Sequence, residues 1–128
     1  MPASDIEILK VRSEEYLEEA EYLVEKKKWD LAIIAIHQHC ELLLKYYALK
    51  LNGTYPRTRS LRELIKLLVK HEPRLNALIK DESHLLMLSR IEGAYISARY
   101  FPVRAKEEDV VPLLRFTKEV FDEQLSGL

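Results

Sequence analysis

Between Trp29 and Leu51 the chain reads WDLAIIAIHQHCELLLKYYALKL, with neither glycine nor proline to interrupt it. Such a run is predicted to be one long helix, and its apolar residues cover two faces of it. Trp29, Ile33, Ile36, Cys40, Leu43, Leu44, Tyr47 and Leu51 make the wider face; Leu31, Ala35, Leu42, Tyr46 and Leu49 make the second. Two apolar faces require two packing partners, which a helical bundle supplies internally, or which a second copy of the chain supplies in part. Against this background Asp30, His37, Gln38, Glu41, Lys45 and Asn52 fall at helical spacing on one polar stripe. Desolvating polar groups costs free energy unless they find partners. Function is therefore sought on the stripe.

The rest of the chain is consistent with an all-α fold. Its 128 residues suit a single domain spanning 1–128, and only 3 glycines and 5 prolines leave few forced breaks, so long helices follow. The first helix is expected from about Asp5 to Lys26, opened by a capping box at Ser4 to Glu7 and carried by Ile6, Leu9, Ser13, Leu17, Ala20 and Leu23. Asp30 is expected to start the second helix, and Asn52-Gly53 to stop it. A second capping box at Ser60 to Glu63 opens a short helix ending near His71, and Pro73 opens a further turn or two. A helix from about Ser83 to Arg99 follows, with Gly93 expected at a close helix contact. The last helix carries Val110, Leu113, Thr117, Phe121 and Leu125, and Pro112 requires it to begin near Asp109 or to kink. The expected architecture is an up-and-down four-helix bundle with one or two additional short helices.

Composition narrows the function classes. A net charge of −1 removes the argument for a uniformly basic nucleic-acid binder and leaves only local basic patches. Cys40 stands alone, cannot make an intramolecular disulfide and faces the core, which suits a small buried hydrophobe in a reducing compartment better than a nucleophile. The N-terminus lacks the features of a signal peptide, and no uncharged stretch reaches the roughly 18 residues that span a membrane, so a cytoplasmic location is expected. Few Asn and Gln beside many Lys, Arg and Glu is a bias reported for thermophile proteins.

Several side-chain sets carry candidate chemistry. Glu41 and Lys45 stand four apart in the favourable order, with His37 one turn earlier. The Ser83 to Arg99 helix presents Glu92, Tyr95 and Arg99 on one side. If the two helices are neighbours, Arg99 can hold a phosphate bidentately while Tyr95 or Tyr100 stacks on a base; the competing reading is a buried Arg–Glu network that fixes helix register. Arg57, Arg59, Arg62, Lys66 and Lys70 form a basic stripe, with Arg104 and Lys106 expected nearby, suited to an RNA backbone, an acidic partner or plain solvation. His37 and His39 do not share a helical face, so neither a metal site nor any other cofactor is expected. His71 and His84 read as capping or surface residues.

Trp29-Asp30-Leu31-Ala32, then Gln38-His39-Cys40-Glu41-Leu42-Leu43-Leu44-Lys45, Tyr55-Pro56-Arg57-Thr58-Arg59-Ser60-Leu61 and Ala98-Arg99-Tyr100-Phe101-Pro102, in this order and spacing, resemble the HEPN domain of archaea and bacteria. The resemblance covers nearly the whole chain. It implies an all-α bundle, commonly a homodimer, associated with nucleotide or RNA binding and often acting beside a minimal nucleotidyltransferase as a toxin–antitoxin pair. Many members of that family are metal-independent ribonucleases, and these carry an Arg followed four to six residues later by a His. No His follows Arg99 in this chain, and Arg59 stands where related members often have a His. The resemblance therefore implies a non-enzymatic binding module with Arg99 as its phosphate-contacting arginine. The alternatives are a ribonuclease using His37 or His39, and a purely protein-binding partner subunit.

Overall fold

The computed structural model describes residues 2–128, which form helices and connecting segments with no strand among them. Helix α1 (Ala3–Glu25) and helix α2 (Trp29–Asn52) pack as an antiparallel pair. Their register is pinned where the Tyr46 hydroxyl donates to Glu7 at 2.9 Å and the Ser13 hydroxyl donates to the His39 carbonyl at 2.9 Å. The capping box expected at Ser4 does not form. Pro2, extended at ψ 149°, starts the helix instead, and its carbonyl accepts the N–H groups of Asp5 and Ile6 at 3.0 and 3.2 Å, leaving Ser4 inside the first turn.

Asp30 also has a different job from the one expected. Helix α2 begins at Trp29 without a side-chain cap, and the Asp30 carboxylate accepts from Arg104 Nε at 2.6 Å and from the Ala105 N–H at 2.8 Å. It thereby latches the segment that follows Arg99 onto the start of α2. At its other end α2 stops as expected, with Gly53 at φ +83°, a left-handed conformation that glycine adopts without a Cβ clash.

Beyond Gly53, residues 54–60 run back along α2 as a strap, bringing the Tyr55 ring beneath Lys45 at 5.1 Å and Arg59 into the electrostatic neighbourhood of His37. Helix α3 (Leu61–Val69) then turns Leu61, Leu64, Ile65 and Leu68 fully inward. The Ser60 hydroxyl accepts from the Glu63 N–H at 3.2 Å as expected; the Ser60 N–H donates to Thr58 Oγ1, so only half of the capping box is present. A 3-10 turn (Pro73–Asn76) and helix α4 (Ala77–Lys80) lead to helix α5 (Glu82–Tyr100), which Asp81 caps.

Helix α5 runs antiparallel to α2, since the Asp30 and His37 ends of α2 meet Arg104 and Tyr95 respectively. The final rod is built from helix α6 (Glu107–Phe116), a π-helical turn (Thr117–Phe121) and helix α7 (Asp122–Leu125). It opens at Glu107, two residues before the expected start, so Pro112 lies past the first turn and costs the rod the hydrogen bond to the Glu108 carbonyl. The core between the rods includes Ile33, Ile36, Leu44, Ile91 and Phe121, all fully buried. Gly93 is exposed and a Cβ there would meet nothing within 4 Å, so it marks no close helix contact.

Candidate functional site

The polar stripe of α2 divides between two separate environments. His39 faces α1 and the last rod. Its Nδ1 lies 2.7 Å from the Ser13 carbonyl and 2.9 Å from Ser13 Oγ, while Nε2 lies 2.7 Å from Asp122 Oδ1. Ser, His and Asp in contact have the composition of a hydrolase triad, but here the Ser13 hydroxyl gives its proton to a backbone carbonyl and is fully buried. The trio ties three rods together. The sequence held one signal for it, a serine at position 13 in a row of otherwise apolar core positions, and its partner Asp122 was not anticipated.

His37 faces the other way, towards α5 and the strap. Its ring stacks on Tyr95 with centroids 3.8 Å apart and planes inclined by 6°, and both residues are buried. Arg99, one turn beyond Tyr95, donates from Nη1 to the Tyr95 hydroxyl at 2.9 Å, and its guanidinium carbon lies 4.9 Å from the Tyr95 ring centre and 4.7 Å from that of Tyr100. Held between two rings, the guanidinium keeps four of its five donors for other use. Arg99 and Tyr100 are both exposed, Tyr100 to 63 %.

Below His37 on the same helix, Glu41 is 7 % exposed and accepts from Lys45 Nζ at 3.1 Å through Oε2, while Lys45 itself lies over the Tyr55 ring. Glu41 Oε1 and His37 Nδ1 are 4.0 Å apart, beyond hydrogen-bond range, and both are buried polar atoms without a partner. Burial is the main reason that the His37 imidazole titrates below its ordinary value of 6.5; Glu41 and the Gln38 side chain pull it back upward, and the charges of Arg59 and Arg99 push it down again.

Most of the residues singled out from the sequence are thus linked in space. His37 stacks on Tyr95 and faces Glu41, which Lys45 pairs, while Arg59 from the strap and Arg99 from α5 act on it through their charge, with Tyr100 against the Arg99 guanidinium. Arg57 lies on the strap and points to solvent. Glu92 is diverted from the groove, because its Oε1 accepts the first N–H of α3, from Leu61, at 2.6 Å. Arg104 does not extend the α3 basic stripe either, being held by Asp30. No cluster of three or more metal-ligating side chains occurs among the described residues. A cleft of about 590 Å³ lies against another side of α5, between Asp30, Arg90, Ala94 and Pro112, and includes none of these site residues.

An exposed arginine between aromatic rings, with a second arginine close by and a buried polar floor, is chemistry suited to an anion carrying a flat group. A family model described as the HEPN domain matches residues 6–127. The chain belongs to the HEPN domain family. No curated protein and no solved structure matches it. Membership places this HEPN domain among nucleotide- and RNA-related modules, and no helix of the described residues is long and apolar enough to cross a membrane.

Proposed function

We propose that this HEPN domain binds a nucleotide or an RNA phosphate at Arg99 and acts without catalysis. The observation that supports the reading is the mounting of Arg99. Its guanidinium is exposed, oriented by the Tyr95 hydroxyl and two aromatic rings, and accompanied by Arg59, so it meets a phosphate already ordered. In this reading Arg99 and Arg59 hold the phosphate, Tyr100 stacks on the base, and Glu41 with Lys45 fixes the floor beneath them. Arg57 adds long-range attraction. The four long rods are read as an up-and-down four-helix bundle with α3 and α4 as the additional short helices.

The absence of catalysis is supported by the histidines. None follows Arg99 in the chain, and His37 and His39 are each only 2 % exposed, one under Tyr95 and the other locked to Ser13 and Asp122. The test is titration of a fluorescent nucleoside monophosphate and of a short RNA into native protein and Arg99→Ala. Loss of a charge-assisted contact is expected to weaken both by roughly tenfold or more, with an unchanged helical circular-dichroism spectrum. Equal binding by the two proteins removes Arg99 from the site, and RNA cleavage that is lost in His37→Ala would replace the binding module with a nuclease.

The same reading takes the domain as a homodimer that pairs with a protein such as a minimal nucleotidyltransferase in a toxin–antitoxin system. Ile96, Tyr100, Phe101 and Val103, all about half exposed or more and adjoining Arg99 in sequence, offer the apolar surface for such contacts. Sedimentation of the purified chain, alone and with the product of the neighbouring gene, checks both statements.

A further inference from the structure

His37 and Glu41 hold two unpartnered buried polar atoms facing each other across 4.0 Å, within electrostatic reach of Arg59 and Arg99. Such orphans are rare in a native fold and costly in a medium of low dielectric. Protonation resolves both: the neutral ring carries one N–H on either nitrogen, whereas the imidazolium carries one on each, so Nδ1 becomes a charged donor aimed at Glu41 Oε1 whichever tautomer precedes it, and a shift of about 1 Å brings the pair to a charge-assisted hydrogen-bond length. The Tyr95 ring, stacked on His37, stabilises an imidazolium through its π face.

We infer that the His37–Glu41 pair is a proton-binding site coupled to the anion site above it, so that binding of a phosphate-like anion takes up a proton at His37. The inference rests on the reading of Arg99 and Arg59 as anion ligands. The groups that act on His37 are Glu41 and Gln38 on its own helix, Arg59 on the strap, and Tyr95 and Arg99 on α5. In the unliganded protein burial is the chief opposition to protonation, and the two guanidinium charges add to it. An anion on Arg99 and Arg59 offsets the guanidinium part of that opposition, so that Glu41 and Gln38 draw the proton in more strongly. By linkage the reverse also holds, and a protonated His37 raises anion affinity by the same factor.

Sulfate is the probe, because it stays a dianion throughout the range in which histidine titrates. Calorimetric titration with sulfate at constant ionic strength, from about pH 8 to about pH 5 and in buffers of different ionisation enthalpy, is expected to show affinity rising roughly fivefold or more on acidification, with net proton uptake. His37→Gln flattens both trends. Glu41→Gln, which keeps the side-chain shape, lowers the midpoint of the His37 ring signals in an NMR titration, a readout independent of any ligand. Sulfate binding that is as pH-dependent in His37→Gln as in the native protein, or pH-independent in both, overturns the coupling and leaves the anion site standing. Failure to bind sulfate at every pH overturns the anion site and the coupling with it.

Discussion

A histidine that titrates low in the folded chain stores a pH dependence of stability whose sign follows from linkage. Because burial holds His37 below its ordinary value of 6.5, the unfolded chain takes up this proton first as the pH falls. The stability owed to neutral His37 is complete above the ordinary value and declines as the pH drops through it, levelling off below the folded value. The urea midpoint of the native protein is therefore expected to fall further between about pH 7.5 and about pH 5 than that of His37→Gln, and equal falls would show that other groups dominate. How much of this site could be read in advance depended on the residue. His37, Glu41 and Lys45 stood out as polar positions at helical spacing on an apolar helix, a pattern that survives without coordinates. The separation of His37 from His39 was legible too, as the two cannot share a helical face. Their actual surroundings were not, because Ser13 and Asp122 lie 26 and 83 residues from His39 and no local rule connects them.

Between residues and the whole chain stand the element ends, where sequence expectations were least reliable. Periodicity sets the body of a helix, but its ends depend on which backbone groups find partners, and at α1 and α2 those partners were not the nearest capping side chains. Asp30 and Glu92 each look like local helix residues and each serve a distant segment. Glu92→Ala removes the acceptor for the first N–H of α3 and is expected to cost about 1–2 kcal/mol, seen as a lowered thermal midpoint. Gly53→Val, forced into the left-handed region at φ +83°, is expected to cost about 1–2 kcal/mol as well, without touching the core. A Gly93→Ala change behaves oppositely: with open space around the added methyl in a helix interior, it is expected to stabilise by about 0.5–1 kcal/mol.

Across the whole molecule, two polar knots on opposite sides of α2 hold the rods in register. The Ser13–His39–Asp122 knot joins the first, second and last rods, so Asp122→Ala, which strands a buried imidazole nitrogen, is expected to destabilise the fold by about 1–3 kcal/mol while leaving anion binding intact at temperatures where the chain stays folded. If that variant bound a nucleotide markedly worse, the two knots would not be independent. The residues of the His37 knot are synthesised in a fixed order. Two of its three walls, α2 and the strap that doubles back along it, are complete by Arg59, while the aromatic and guanidinium wall enters only with Tyr95 and Arg99. Until α5 has been synthesised there is no Tyr95 to cover the His37 ring. Recognition is gained late in synthesis, and a fragment cut short before α5 folds has the acid, the lysine and the strap but nothing to grip with.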